Sequence, residues 1–176
     1  TKKESSSDRD THNKEVGIGR WQVYESEIDV GEELGFGSFG VVHQGEFNNK
    51  VVAIKTLSSS AATSQKQQAA ELLLNEVQQL SKCHHKNIVQ LFGACSFPPM
   101  LVLAFATNGT LRDVLNKKQL TPIKKWQVVA GVCDGMAMLH AQDILHLDLK
   151  PENILIDIDG HVKIADFGLS KIIAKR

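Results

Sequence analysis

No charge of either sign is in excess in this sequence: twenty lysines and arginines stand against twenty aspartates and glutamates. A net charge of zero leaves no electrostatic footprint for nucleic acid or for an anionic membrane, and neither partner is expected. Long hydrophobic runs are also missing. No stretch reaches the roughly 18 apolar residues of a bilayer-spanning helix, and the polar first residues form no signal-peptide core. Cysteine is scarce: Cys83, Cys95 and Cys133 are odd in number, scattered, and lack the spacing of a metal site. That usage leads us to expect reduced thiols, packed as small hydrophobes, in a cytoplasmic protein. There is no internal repeat. What is present is 42% hydrophobic and 23% charged residues over 176 positions, the make-up of a soluble globular domain with a core. Because the first residue is Thr1, an excerpt of a longer protein is expected.

Residues 1 to about 20 are rich in Ser, Lys and Asp without hydrophobic period, and a disordered leader or linker is expected over 1–27. From Ile28 the pattern turns to strands, predicted over 29–34, 40–47 and 50–57, with Asn48-Asn49 as a tight turn between the last two. A low-complexity stretch then leads into a helix over 65–82 whose apolar stripe is Leu73, Val77 and Leu80. Glu76 lies on that same face. A carboxylate destined for burial needs a cation or hydrogen-bond donors.

Strands are predicted over 90–94 and 101–105, separated by Pro98-Pro99. Asn108-Gly109 breaks the chain before a short helix over 110–116. Thr121-Pro122 is an N-cap followed by proline at the first helical position. It opens a long helix to Ala141, with Trp126, Val129, Val132, Cys133, Met136 and Leu139 on its apolar side. Two short strands, 154–156 and 162–164, flank an Asp159-Gly160 turn. The order predicts an α+β chain of two lobes, 28–103 and 104–176, joined near 104–108.

Four groups of residues carry chemistry. Gly35-x-Gly37-x-x-Gly40 has a spacing shared with dinucleotide folds, but there the glycines open a helix. Here Val41-Val42-His43 continues as a strand, so the glycines form a hairpin turn that can approach phosphates without side-chain clash. Alternation puts Ala53 and Lys55 on one face of the third strand and Val52 and Ile54 on the other. A lysine needing orientation and the buried Glu76 carboxylate answer each other. Asp148, Lys150 and Asn153 cluster on a loop that Pro151 keeps from becoming helical. An aspartate can accept a hydroxyl proton, a lysine can neutralise phosphate, and an asparagine carbonyl can ligate magnesium. Asp166 supplies a second hard oxygen.

In this order the motifs resemble the eukaryotic protein kinase superfamily from about Ile28 onward. The run Lys150-Pro151-Glu152-Asn153 looks like a serine/threonine kinase. His85-x-Asn87-Ile88-Val89-x-Leu91-x-Gly93 and Asn108-Gly109-Thr110-Leu111 are similar to the tyrosine kinase-like group, with its Raf-like and receptor-interacting members. The resemblance implies the two-lobe kinase fold and magnesium-dependent transfer of the γ-phosphate of ATP to serine or threonine hydroxyls of protein substrates; the alternatives are a nucleotide-binding pseudokinase or scaffold, and an inactive truncated kinase fragment. Leu34, Gly35, Phe36, Gly37, Ser38, Gly40 and Val42 would cover the ATP phosphates. Lys55 would hold the α- and β-phosphates and pair with Glu76. Leu103 would narrow the pocket behind adenine, Ala104 and Ala106 would bind its edge, and Val42, Ala53 and Leu155 would sandwich it. Asp148 would orient the substrate hydroxyl, with Lys150 beside it, while Asn153 and Asp166 would hold magnesium. Leu80, Leu91, His146 and Phe167 would stack as a spine reporting the active state.

Two departures from the family pattern carry expectations of their own. Leu147 stands where the family usually has the arginine that docks a phosphorylated activation loop, and leucine cannot make those charge-assisted bonds. Activity is therefore expected to be independent of loop phosphorylation through this position. Only eight residues follow Gly168, so the resemblance implies a catalytic domain cut after Asp166-Phe167-Gly168, with a complete small lobe and a partial large one.

Overall fold

A computed structural model describes residues 18–37, 40–57, 63–118 and 120–173. Strands β1 (Ile28–Gly37), β2 (Gly40–Phe47) and β3 (Lys50–Leu57) run antiparallel, and helix α1 (Thr63–Leu80) follows. Strands β4 (Leu91–Cys95) and β5 (Met100–Ala104) complete a five-stranded sheet of order β1-β2-β3-β5-β4. Asn48 and Asn49 both adopt positive φ, 51° and 59°, which is the turn geometry that matches the twist of a two-residue hairpin. The second and third strands have the predicted limits.

Period two sorts the sheet residues between two cores. Val52 and Ile54 of β3 join Met100 and Val102 of β5 in a cluster closed by Val23, Ile28, Phe47 and Cys95. Leu101 and Leu103 face the other way, into a larger cluster with Leu73, Val77 and Leu80 of α1. The predicted stripe of α1 is thus the face it buries.

The expected leader does not extend to residue 27. Ile18 is buried in the larger cluster, Trp21 packs against it, and Val23 donates its N–H to Ala94 O at 3.0 Å. Short helical turns at Gly19–Trp21 and Glu25–Glu27 carry this stretch across β4. Gly93 permits the contact, because an added Cβ would lie 2.5 Å from Val23 Cγ1.

Beyond β5, Thr110 caps α2 (Leu111–Asn116) in a reciprocal exchange with Asp113. Thr121 caps α3 (Pro122–Ala141), with Pro122 at its first position as expected. Strands β6 (Ile144–Leu145), β7 (Ile154–Ile156), β8 (Val162–Ile164) and β9 (Lys171–Ile172) form two small pairs, β6 with β9 and β7 with β8. The β6–β9 pair was not predicted.

Of the apolar side expected for α3, Leu139 is buried and Val132 and Met136 pack against the core clusters, while the rest departs from expectation. Val128, Gly135 and Leu139 are buried, whereas Trp126 is 72% exposed and Val129 and Cys133 face solvent. The helix carries large apolar residues on both sides, so their periodicity does not select a face. Close approach does: an added Cβ at Gly135 would sit 2.7 Å from Ile164 Cδ1 and 3.0 Å from Asn87 O, so β8 and the loop before β4 lie against the glycine side. Exposure of Cys133 likewise departs from the expectation of buried thiols, while Cys83 and Cys95 meet it. Burial pushes the Cys83 thiol up to about 11 against the pull of Lys82. Among the described residues no helix is long and apolar enough to cross a membrane.

Candidate active site

Register brings the first site residues together. Lys55 of β3 lies opposite Val42 of β2 and Leu101 of β5, and Ala53 lies opposite Leu103. The β1–β2 hairpin closes with Gly37 paired to Gly40, and Phe36 beside it is 81% exposed. Leu34 is also exposed, and Ser38 lies outside the described residues. Leu103 is buried, while Val42, Ala53, Ala104, Ala106 and Leu155 are half-buried, with Ala53, Ala104 and Leu155 packed against the larger core. Ala104 donates its N–H to Gln90 O, and Ala106 O accepts from Gly109.

The centre of the site is a buried cation between two carboxylates. Lys55 Nζ donates to Glu76 at 2.8 and 3.1 Å and to Asp166 Oδ1 at 2.8 Å, with Lys55 4% and Glu76 1% exposed. Burial alone would lower the Lys55 pKa, but the charges of Glu76 and then Asp166 outweigh it, and the pKa is raised. Glu76 also accepts from the Phe167 N–H at 3.3 Å. The carboxylate that looked misplaced on an apolar stripe is therefore satisfied from both sides.

The loop after α3 supplies the second group. His146 Nδ1 accepts from the Asp148 N–H at 3.3 Å, so its Nε2 donates to Ala165 O at 2.9 Å. Its ring meets Phe167 edge-on at 5.2 Å. Leu80, Leu91 and Phe167 share one buried cluster with His146 beside them, so the four residues expected to stack do lie together. Leu147 has φ 63° and is 57% exposed. The backbone thus reverses between the buried His146 and the site-facing Asp148.

Asp148 Oδ2 accepts from Lys150 Nζ at 2.7 Å and from Asn153 Nδ2 at 2.9 Å. The Lys150 bond, joined by that of Asn153, holds the Asp148 carboxyl below its usual range, against desolvation and the charge of Asp166. Asn153 also donates to Asp148 O, and its own carbonyl accepts from Ala165 N at 2.9 Å. With its Nδ2 engaged twice, Asn153 has its amide oxygen to offer as a ligand. Asp166, at φ 62°, follows directly. The donor set of Asp166 and Asn153 is all oxygen, which suits a hard divalent cation such as magnesium.

Gln79 and Ser170 were missed by sequence reasoning. They are 1% and 2% exposed and joined by a hydrogen bond of 2.9 Å. The available signal was a glutamine three residues after Glu76, on the buried side of an amphipathic helix.

Residues 28–176 match the protein kinase domain family. The chain is similar to the dual specificity protein kinase pyk3 of Dictyostelium discoideum, at 35% identity over 89% of this chain and 11% of that protein. It is similar to the serine/threonine-protein kinase STY46 of Arabidopsis thaliana, at 33% identity over 90% of this chain and 28% of that protein. The cytoplasmic tyrosine-protein kinase BMX of Mus musculus is 32% identical over 90% of this chain and 24% of its own length. The chain thus spans between 11% and 28% of these three curated relatives, whose printed specificities differ.

Proposed function

The chain belongs to the protein kinase domain family, and from that premise we propose that it transfers the γ-phosphate of ATP, with magnesium, to serine or threonine hydroxyls of proteins. The observation that carries this reading is the buried Lys55 held at 2.8 Å by both Glu76 and Asp166. Buried ion pairs seldom add net stability, because desolvation offsets their attraction. A lysine fixed by two carboxylates beside a glycine hairpin is instead suited to holding phosphate oxygens in a set place.

Asp166 and Asn153 would hold magnesium, which supplies charge neutralisation of the transferring phosphoryl group. Asp148, ionised at neutral pH, accepts a hydrogen bond from the incoming hydroxyl and orients it, with Lys150 2.7 Å away to balance charge. The Lys150-Pro151-Glu152-Asn153 run supports the serine/threonine choice over tyrosine. The motif around Asn87 and the one around Gly109 support the tyrosine kinase-like group within this proposal.

The test is thermal unfolding of the 176-residue chain with and without magnesium-ATP. At one hundred times Kd a ligand adds about 2.7 kcal/mol, which is on the order of 5–10 °C for a domain of this size. No shift in a cooperatively unfolding chain would end the nucleotide reading. Leu147 motivates a second reading, a nucleotide-binding pseudokinase or scaffold, which predicts the shift without phosphoryl transfer.

If the chain transfers phosphate, Leu147 implies activity that does not depend on a phosphorylated activation loop. An arginine here could adopt the same exposed position, so Leu147→Arg is expected to introduce such dependence in a chain carrying the loop. Wild-type activity that phosphatase treatment already abolishes would count against it.

A further inference from the structure

One buried polar network beside the site has no part in the roles above. Gln79 Nε2 donates to Ser170 O at 2.9 Å and to Asn75 Oδ1 at 2.9 Å, and Asn75 Nδ2 reaches the same Ser170 carbonyl at 3.4 Å. The spacing of four puts Asn75 and Gln79 one turn apart on α1. Exchanging oxygen and nitrogen at Gln79 would set its oxygen against two acceptors, so the hydrogen bonds determine the amide orientation. Its Oε1 has no hydrogen-bond partner among the described residues. A buried amide with an unanswered oxygen is unfavourable among leucines and valines. What this glutamine contributes is its donors.

The segment it grips is a unit. Ser170 N donates to Phe167 O at 3.1 Å, and the Ser170 hydroxyl bonds the same carbonyl. Helix α1 therefore holds the 167–170 turn at both ends, through Glu76 at Phe167 and through Gln79 and Asn75 at Ser170. Asp166 immediately precedes it, at φ 62° in the left-handed region that aspartate tolerates better than most residues.

We propose that Asn75 and Gln79 are positioning residues for Asp166: they clamp Ser170 to α1, so that the Asp166 carboxylate stays against Lys55. The proposal rests on the kinase reading only for what Asp166 does with magnesium.

The experiment is amide hydrogen exchange on the whole chain, wild type against Gln79→Leu, paired with titration by ATP with and without magnesium. Leucine matches the volume and removes the donors. Exchange at Phe167 and Ser170 is expected to rise about tenfold, the equivalent of about 1.4 kcal/mol, with β3 and β5 unchanged. Affinity for magnesium-ATP should fall about tenfold, and affinity for ATP alone by less than about twofold. Unchanged exchange at these two amides overturns the clamp, as does acceleration spread evenly over the sheet. Should Gln79→Leu fail to fold, Asn75→Ala removes one donor to Ser170 and the acceptor for Gln79, and is read by the same amides. Local acceleration in a chain whose wild type binds no magnesium-ATP would support the clamp and sink the kinase reading.

Discussion

Asp148→Asn is expected to lower phosphoryl transfer by about 10²–10⁴-fold, the usual contribution of a positioned base, with magnesium-ATP binding nearly unchanged. Asparagine keeps the size of the side chain and one oxygen that Lys150 or Asn153 can donate to. It removes the negative charge that accepts a hydroxyl proton. Steady-state kinetics on a basic serine-containing peptide would show the loss in kcat, and wild-type turnover in the variant would remove Asp148 from the reaction.

The same aspartate sets a pH expectation. Its folded pKa lies below the ordinary value of 3.8, through Lys150 first and Asn153 next. A depressed carboxyl contributes stability above its unfolded pKa and loses it as pH falls through the folded one. Asp148 is therefore ionised across the neutral range, and any acid limb that it causes lies below 3.8. A rate profile that titrates near neutrality would have to be assigned to a different group.

Lys55→Met should be the more damaging change to the fold. Methionine fills the space of the aliphatic stem but leaves Glu76 and Asp166 facing each other without the cation between them. Breaking a buried pair in this way costs about 3–5 kcal/mol, a large share of a typical 5–15 kcal/mol of net stability. Urea unfolding at neutral pH would measure it, and the shift with magnesium-ATP should vanish as well. Because the folded pKa of Lys55 is raised, its contribution is fully present below 10.5 and is lost only as pH rises through the folded value. On the alkaline side the gap between wild type and variant should thus persist from neutral pH upward and close only in strong alkali. Equal stability of the two proteins would mean the ion triad is screened by water and not buried as the structure has it.

The residue types of the site and their order were legible before any fold was known, because they stand in short motifs. The order of Lys55, Glu76, Asp148, Asn153 and Asp166 could be read directly, and Glu76 gave itself away as a charge on an apolar stripe. The β2–β3 hairpin followed from Asn48-Asn49, whose tolerance of positive φ is a property of the residues themselves. The helix start at Thr121 followed from its cap, and the one near Thr110 from the Asn108-Gly109 break before it. These are short-range effects, set by neighbours a few positions away.

What the tertiary structure alone decided depends on close approach between distant segments. Residues 18–27 look like a polar leader until Gly93 makes room for Val23 against β4. The face that α3 buries is selected by Gly135 under β8, and no count of large apolar residues records that. The bond between Gln79 and Ser170 joins positions 91 residues apart, and a glutamine carries no mark of the carbonyl it will meet. Sequence by itself determined which residue types stand at the site and in what order, since propensity, capping and period are properties of short stretches. Which of them touch, which surfaces are covered and how α1 is tied to Asp166 were decided by packing, because burial and hydrogen bonding act between whichever groups the folded chain brings within a few ångströms.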